Sequence, residues 1–387
     1  MKLSQKPPQY QKCRVCSYDA NESDATHCEA CKFSLLRPTV TGMLAQVPTQ
    51  VLHSRSYLVI LVLLLALSAT GFYIIWRRAL QDGSALHYAQ KKQLTENPDL
   101  QRRYFSIKEV PDVPKGIFSY GGAICFAAMT DHGMNDAIAK SHPQFQLRYT
   151  QPLSQPPGCS TGIEMLLNGE LSFAQNGRPL LEDEYRSAKQ RNFYLVQVPV
   201  ALDGIVFFTH PTQKVSRLSV KQLQDIYMGK IKNWKQLGGQ DLPIVPIGQD
   251  IKIHNTLKLL LGNQIKNISN DVKIVRDYTS AMRMVGSKTG GISYSSAAIA
   301  QGQKTIRSLA LANSNSTNYI SPFTSTNTVN IAALKDGTYP ITRRLFVVIR
   351  RDGTLDQQAG EAYARMLLTT EGQRIIEDAG FAAILSK

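Results

Sequence analysis

The sequence predicts an α/β body, preceded by a small zinc ribbon and a single transmembrane helix. Residues 57–76 form an uncharged run of twenty residues, four cysteines form two CxxC pairs before it, and short apolar runs alternate with amphipathic segments after it. Strands interleaved with helices are typical of an α/β fold with mostly parallel sheets. The predicted segments are a ribbon at 1–37, a linker at 38–56, the span at 57–76, a stalk at 77–115 and a body at 116–387.

The cysteines of the first segment form its most specific motif. Cys13 and Cys16 make one CxxC pair and Cys28 and Cys31 make the other, with eleven residues between the pairs. Two such pairs place four thiolates where they can close tetrahedrally on one structural Zn²⁺. The residues between them are mostly polar, so metal binding would supply most of the folding free energy. Two disulfides or a redox-active pair are the alternatives, and the segment resembles the zinc ribbons of bacterial membrane and regulatory proteins.

The uncharged run at 57–76 reads YLVILVLLLALSATGFYIIW and is bounded by Arg55 and Arg77. At about 1.5 Å per residue, a helix of this length crosses a hydrocarbon core of roughly 30 Å. Apolar residues around its whole circumference and aromatic residues at both ends favour a membrane span over a buried core helix. A cleaved signal peptide is the other alternative, but 56 mostly polar residues come first. We expect a single-pass anchor.

Two arguments about the orientation of this anchor disagree. Zinc thiolates persist where thiols stay reduced, which puts the ribbon in the cytoplasm and the body outside the inner membrane, in the periplasm. The positive-inside count favours the reverse, because fewer basic residues precede the span than follow it. The residues counted are Arg37 and Arg55 before it, and Arg77, Arg78, Lys91 and Lys92 after it. The cysteine argument decides our expectation of a cytoplasmic N-terminus.

The chain is basic, with a formal net charge of +15, of which the residues after 56 carry +12 (37 basic against 25 acidic). Such an excess suits an anionic ligand or an anionic lipid surface. Nucleic acid is not predicted, because no cluster of basic residues with interleaved aromatics occurs.

The stalk at 77–115 is charged and contains three prolines, and the regular pattern starts after it. The clearest predicted helix begins at Ser219, where Ser219 and Gln222 form a capping box, and another begins at Thr370. The predicted strands are 117–120, 193–198, 205–209, 244–247, 272–275, 328–333 and 345–349.

Three glycine-containing turns follow predicted strands or open predicted helices, at 120–123, 158–162 and 247–250. In α/β folds, ligands bind outside the carboxyl ends of strands, where free N–H groups at helix starts face an anion. These turns are therefore candidate anion contacts, although such turns are more often only structural.

Several motifs of the body, in order, resemble the PstS-like family of periplasmic phosphate-binding proteins. The matching stretches are GCSTGIEMLLNGELSFAQNGRPL at 158–180, LSVKQL at 218–223, IYMGKI at 226–231, NWK at 233–235, GGISY at 290–294, YPITR at 339–343, TEGQ at 370–373 and AGF at 379–381. The resemblance covers roughly 116–387. It implies a type II-like periplasmic-binding-protein fold, in which two α/β lobes joined by crossover strands clasp a ligand.

By the same resemblance, the ligand is phosphate or a related oxyanion and the partner is an ABC-transporter permease. The candidate ligand-binding residues are Gly122, Ala123, Cys159, Ser160, Thr161, Gly162, Gly177, Arg178 and Gln249. The chain departs from the family pattern at several of them, because Cys159 and Gly177 replace serines and Gln249 replaces an arginine. A desolvated phosphate needs charge-assisted donors, and these replacements remove some of those that the family pattern supplies. The resemblance therefore predicts the fold more strongly than it predicts the ligand.

No nucleophile, base and orienting group can be assembled from the sequence, so an enzyme is not predicted. The first hypothesis is a membrane-anchored extracytoplasmic substrate-binding protein that closes two lobes on an oxyanion. The second is a non-transport membrane sensor or adaptor, with a degenerate binding domain outside and a partner-binding zinc ribbon inside. Cys125 and Cys159 could pair as a disulfide or be two buried apolar residues.

Overall fold

The computed structural model describes residues 10–11, 21–22 and 104–385, and its contacts divide the chain into units 1–101 and 102–387. In the first unit, strands β1 (Tyr10–Gln11) and β2 (Asn21–Glu22) pair antiparallel. The four ribbon cysteines and the predicted span at 57–76 lie outside the described residues. Within the described part of the chain, no helix is both long enough and apolar enough to cross a bilayer.

The second unit alternates strands with helices. Its strands are β3 (Gly116–Gly122), β4 (Phe145–Tyr149), β5 (Phe173–Asn176), β6 (Tyr194–Thr209), β7 (Arg217–Ser219), β8 (Val245–Gln249), β9 (Lys273–Val275), β10 (Gly291–Ser296), β11 (Arg307–Ser308), β12 (Ala310–Ala312), β13 (Thr342–Arg351) and β14 (Ala382–Ala383). Its α-helices are α1 (Ala127–Asp131), α2 (Met134–Ser141), α3 (Cys159–Leu167), α4 (Glu182–Gln190), α5 (Val220–Tyr227), α6 (Thr256–Leu261), α7 (Tyr278–Ser287), α8 (Ala297–Ala300), α9 (Ile331–Lys335), α10 (Leu355–Leu367) and α11 (Thr370–Asp378).

One mixed sheet runs through both lobes in the order β4-β3-β5-β13-β6-β10-β8-β9, with β11 and β14 also paired to β6. Strands inside each lobe are parallel: β3 pairs with β4 and β5, and β8 pairs with β9 and β10. The antiparallel pairs involve β6 and β13, which connect the lobes. The expectation of mostly parallel sheets therefore holds within the lobes and fails at the connection.

Strand β6 corrects the sequence prediction, which placed two strands at 193–198 and 205–209. The structure has one strand of 16 residues, because the stretch between them is also paired. Residues up to Gly204 pair with β13, and Ile205 begins the pairing with β10. The strand thus passes directly from the first lobe into the second.

The predicted strand at 328–333 is wrong, because helix α9 begins inside it. The side chain of Asn330 accepts a hydrogen bond from the N–H of Ala333 and so caps the helix. The β-branched residues of this stretch favour a strand, but the asparagine cap stabilises the start of a helix at this position. In contrast, the capping box of Ser219 and Gln222 and the helix beginning at Thr370 are confirmed.

Each lobe has its own aromatic core. Phe173 stacks on Tyr363 with ring centroids 4.6 Å apart in the first lobe. In the second lobe, Phe207 contacts Tyr294 at 5.6 Å and Tyr227 at 6.1 Å. Because these cores lie on opposite sides of the strand crossing, the crossing is the natural place for a cleft.

Candidate ligand-binding site between the two lobes

A buried ion pair occupies the strand crossing. Arg343 of β13 lies directly opposite Asp203 of β6 in the antiparallel register. Its Nε and Nη2 atoms donate to Oδ2 of Asp203 at 2.9 and 2.8 Å, and the hydroxyl of Ser296 donates to Oδ1 at 2.7 Å. Burial raises the pKa of Asp203, while the Arg343 charge acts to lower it. The pair fixes a cation between the lobes.

The same guanidinium reaches two helix starts of the second lobe. Its Nη2 donates to the hydroxyl of Tyr278, the first residue of α7, at 3.0 Å. Its Nη1 donates to the hydroxyl of Thr256, the first residue of α6, at 3.5 Å. Burial raises the pKa of Tyr278 to about 12, so this phenol stays protonated near neutral pH. Among the residues that the structure describes, Nη1 makes only this long bond, so it retains donor capacity.

Helix α3 of the first lobe begins at Cys159 and meets the second lobe at this end. The N–H of Ser160 donates to the carbonyl of Ile253 at 3.2 Å, which is a direct bond across the cleft. The Cys159 Sγ atom accepts from the N–H of Gly177 at 3.3 Å. The Thr161 hydroxyl donates to backbone carbonyls of Pro156 and Gly158. The predicted anion turn therefore lies at the cleft, with the Ser160 N–H and Thr161 hydroxyl engaged by the chain itself.

Three of the predicted site residues, Gly122, Ala123 and Gly162, lie where strand β3 packs against helix α3 and strand β5. A Cβ on Gly162 would lie 2.4 Å from the Cα of Gly122, and a Cβ on Gly122 would lie 2.3 Å from the carbonyl oxygen of Gln175. The N–H of Ala123 donates to that same carbonyl at 2.7 Å. The glycines are thus required by a close backbone approach.

Arg178 and Gly177 have different surroundings, although they are adjacent. The Arg178 guanidinium pairs with Glu184, donating from Nη1 at 2.9 Å, and its side chain is 5% exposed. A Cβ on Gly177 would lie 3.6 Å from both the Nη1 of Arg343 and the Cys159 Sγ atom. Because Gly177 has no side chain, there is room beside Nη1 of Arg343, the guanidinium nitrogen that does not contact Asp203.

Two buried side chains, Gln249 at the end of β8 and His254 after it, have polar atoms without partners among the described residues. Both amide atoms of Gln249, which is 1% exposed, lack a hydrogen bond, and so does Nε2 of His254, which is 8% exposed. Burial and the nearby Arg343 lower the pKa of His254 to about 4, so the imidazole is neutral near pH 7. A Cβ on Gly158 would lie 3.1 Å from Cε1 of His254, so this ring adjoins the start of α3.

Both described cysteines, Cys125 and Cys159, are free and buried. Burial raises the pKa of Cys125 to about 12. This thiol is therefore protonated and unreactive near neutral pH.

Sequence reasoning did not select Arg343, Asp203, His254, Tyr278 or Thr256 as site residues. Arg343 closes the YPITR match, and that position was the available signal. Asp203 carried no signal, because it lies in a stretch between two predicted strands.

Comparisons with known proteins agree with this architecture. A family model described as the PBP superfamily domain matches residues 127–371. The phosphate-binding protein PstS of Borreliella burgdorferi is 25% identical over 240 residues, which cover 59% of this chain and 77% of that protein. PstS of Staphylococcus haemolyticus is 24% identical over 256 residues, covering 65% and 76%.

Among solved structures, a putative phosphate ABC transporter substrate-binding protein with bound phosphate from Clostridium perfringens is similar with a TM-score of 0.57 and 21% identity. The match covers 69% of this chain and 99% of that one. At this identity the similarity concerns the fold. Together with the family match over more than half of the chain, it leads to one conclusion: the chain belongs to the PBP superfamily.

Proposed function

We propose that the chain is a membrane-anchored extracytoplasmic substrate-binding protein that closes two lobes on phosphate or a related small oxyanion. The observation that carries this proposal is the convergence of four segments where the lobes meet. The start of α3, the segment 249–256, the start of α7 and Arg343 of β13 all contribute polar groups there. Helix starts and a guanidinium are the groups that proteins use for oxyanions.

The direct bond from the Ser160 N–H to the Ile253 carbonyl supports the closing motion. It shows that the second lobe comes within hydrogen-bond distance of the α3 turn. An oxyanion entering the cleft would take the place of that carbonyl as acceptor. The names of the PstS relatives, phosphate-binding proteins, support the class of ligand.

The remaining parts of the proposal rest on the sequence. Residues 57–76 would anchor the body outside the membrane, and an ABC-transporter permease would receive the ligand. Cys13, Cys16, Cys28 and Cys31 would hold one structural Zn²⁺ in a cytoplasmic ribbon.

The test is calorimetric titration of the full chain in detergent, after exhaustive dialysis to remove carried-over ligand, with phosphate, sulfate and nitrate. The proposal expects at least one of these anions to bind at micromolar affinity or better. An Arg343→Met variant should lose most of that affinity, because it removes the buried cation without adding a charge. Lys214→Met, an exposed substitution outside the cleft, is the matched control for loss of a positive charge.

A sensor or adaptor is the second candidate, and the same inter-lobe bond favours it. Because the Ile253 carbonyl already satisfies the Ser160 N–H, the cleft is closed by the chain's own backbone. Absence of heat with every oxyanion would overturn the first proposal and leave this candidate, in which the zinc ribbon contacts a cytoplasmic protein.

A further inference from the structure

The two lobes differ in charge. The second lobe, which comprises residues 205–341 between the two strand crossings, has sixteen basic and six acidic residues, a formal charge of +10. The first lobe, residues 104–204 and 342–385, has fourteen basic and sixteen acidic residues, a formal charge of −2. An anionic surface would therefore attract the body through its second lobe.

Six lysines of this lobe lie on one contiguous group of elements, which we call the basic end. It consists of α5 with the turn 228–232, helix α6, and the segment 262–275. The side-chain amide of Gln224 donates to the carbonyl of Leu260 at 2.9 Å, and the N–H of Ser269 donates to the carbonyl of Tyr227 at 2.9 Å. These elements are therefore in direct contact. The six lysines are Lys221, Lys230, Lys232, Lys258, Lys266 and Lys273.

Two aspartates offset this charge only in part. Asp225 pairs with Lys221 and Lys230, and Asp271 accepts from Nζ of Lys232 at 3.3 Å. The remaining three lysines of the basic end form no ion pair within the part of the chain that the structure describes. Six lysines against two aspartates leave the basic end with a formal charge of +4.

Exposed aliphatic side chains accompany these lysines. Leu259 is 40% exposed and Ile274 is 57% exposed, and no other large apolar side chain of the second lobe is exposed among the described residues. Ile274 lies on β9, which ends the described sheet and pairs with β8 alone, so its outer edge is free. Lysines around exposed aliphatic residues are typical of surfaces that bind lipid headgroups, where charge and apolar area both contribute.

The composition of the basic end disfavours a protein as its partner. Protein interfaces are enriched in arginine and aromatic residues and depleted in lysine. The basic end has lysine as its only cation, and its one aromatic residue, Tyr227, is buried. A lysine ammonium is a hydrated point charge, which suits a diffuse anionic surface better than it suits bidentate recognition. A second copy is disfavoured as well, because a first lobe with a charge of −2 offers little complementary charge.

The chain enters the body through the first lobe. The carbonyls of Tyr104 and Phe105 accept hydrogen bonds from the N–H groups of Thr370 and Glu371 at 3.0 and 2.9 Å. The 27 residues at 77–103, between the predicted span and this entry, reach at most about 90 Å. A body of this size has a diameter of about 50 Å. The tether is therefore long enough for either lobe to meet the bilayer, and the surface of the body decides which one does.

We propose that the basic end of the second lobe binds an anionic phospholipid surface. The inference uses the anchoring at 57–76 that belongs to the proposed function, but it does not depend on the ligand of the cleft. Acidic headgroups pair with the lysines, and Leu259 and Ile274 enter the headgroup region.

The test is hydrogen exchange of the full chain in lipid nanodiscs. Discs of phosphatidylcholine alone are compared with discs that also contain phosphatidylglycerol. Exchange at 228–232 and 262–275 should be at least about fivefold slower in the anionic discs, because lipid covers the free edge of β9 and the turns beside it. High salt should remove this protection, since it screens the attraction between lysine and lipid. Strand β4, the edge of the same sheet in the first lobe, should exchange equally in both kinds of disc.

A triple variant, Lys258→Gln with Lys266→Gln and Lys273→Gln, removes the three lysines of the basic end that lack ion pairs. Each lysine close to an anionic surface contributes about a fivefold factor, so the docked population should fall about a hundredfold and the protection should disappear.

The matched control is Lys108→Gln with Lys115→Gln and Lys140→Gln, which removes the same charge from exposed positions of the first lobe. It should leave the protection unchanged. Thermal unfolding shows whether both variants fold, and the comparison of the two kinds of disc with the wild-type chain stands independently of them.

Equal exchange in neutral and anionic discs would overturn the inference and point to an acidic protein as the partner, while the anchoring would stand because the chain is held in the discs. Protection that survives high salt or the triple variant would also overturn it. A chain that enters discs of neither composition would remove the anchoring and this inference together. Oxyanion titration would still test the ligand of the proposed function.

Discussion

Asp203 and Arg343 face each other on β6 and β13, the paired strands that connect the two lobes. Two nitrogens of the guanidinium donate hydrogen bonds to the carboxylate. The pair therefore connects the fold to the site, because one ion pair holds the crossing strands and presents the cleft cation. We expect Asp203→Ala to destabilise the second unit by about 3–5 kcal/mol, since it leaves a buried charge unpaired. Denaturant unfolding measures this loss.

The control for this first prediction is the double variant Asp203→Ala with Arg343→Met. Removing both charges should recover much of the lost stability, because the uncompensated cation is gone. A double variant as unstable as the sum of the two single variants would show that the pair has no coupling energy.

The second prediction concerns closure of the cleft. A Cβ on Gly158 would lie 2.4 Å from Cγ2 of Ile253, so Gly158→Ala should hold the lobes apart and expose the segment 250–255 to hydrogen exchange. Gly158 has an extended backbone with φ of −176°, so the alanine itself is not strained. Ile253→Ala in the same chain removes the clashing methyl group and should restore protection. Unchanged exchange in the single variant would contradict this contact.

Local signals in the sequence predicted much of this structure. The capping box of Ser219 and Gln222 correctly located α5, and the predicted helix start at Thr370 correctly located α11, because such signals act within a few residues. The site was harder to predict, because it depends on register between distant strands. Nothing near Asp203 in the sequence indicates that it lies opposite Arg343, 140 residues later.

Substitutions that looked like losses from the family pattern have structural consequences that the sequence could not reveal. Gly177 opens space beside Arg343, while Arg178, which matched the family pattern, is held by Glu184. The ribbon cysteines and the span remain predictions, since they lie outside the described residues.

The third prediction tests the strand–helix contact at Gly162. A Cβ there would lie 2.4 Å from the Cα of Gly122, a backbone atom that cannot move aside. Gly162→Ala should therefore cost about 1–3 kcal/mol of stability, despite the better helix propensity of alanine. Gly286→Ala, also in a helix but with its nearest contact at 3.3 Å, should cost less when both are compared by urea unfolding. Equal stabilities would show that the close approach relaxes freely.

The fourth prediction concerns the ribbon. If the two CxxC pairs close on zinc, the purified full chain should contain one zinc ion per molecule by elemental analysis. Cys16→Ser should lose it, because four thiolates are needed to complete the tetrahedral site. Cys125→Ser, a free buried cysteine of the second unit, should retain it. Zinc-free chains with two disulfides by mass spectrometry would establish the alternative pairing.

The last prediction is a loss of stability in acid that comes from His254. Its folded-state pKa of about 4 lies below the ordinary value of about 6.5, because burial and Arg343 disfavour the imidazolium. Between these two values the unfolded chain binds the proton and the folded chain does not, so stability falls as the pH decreases through this window. The loss attributable to His254 should reach roughly 3 kcal/mol by pH 4. Urea unfolding at pH 7 and pH 4.5 checks it, because a His254→Gln variant removes this contribution and keeps those of the carboxylates. If wild type and variant lose the same stability between these pH values, His254 is charged in the folded protein and the cleft is more hydrated than its burial indicates.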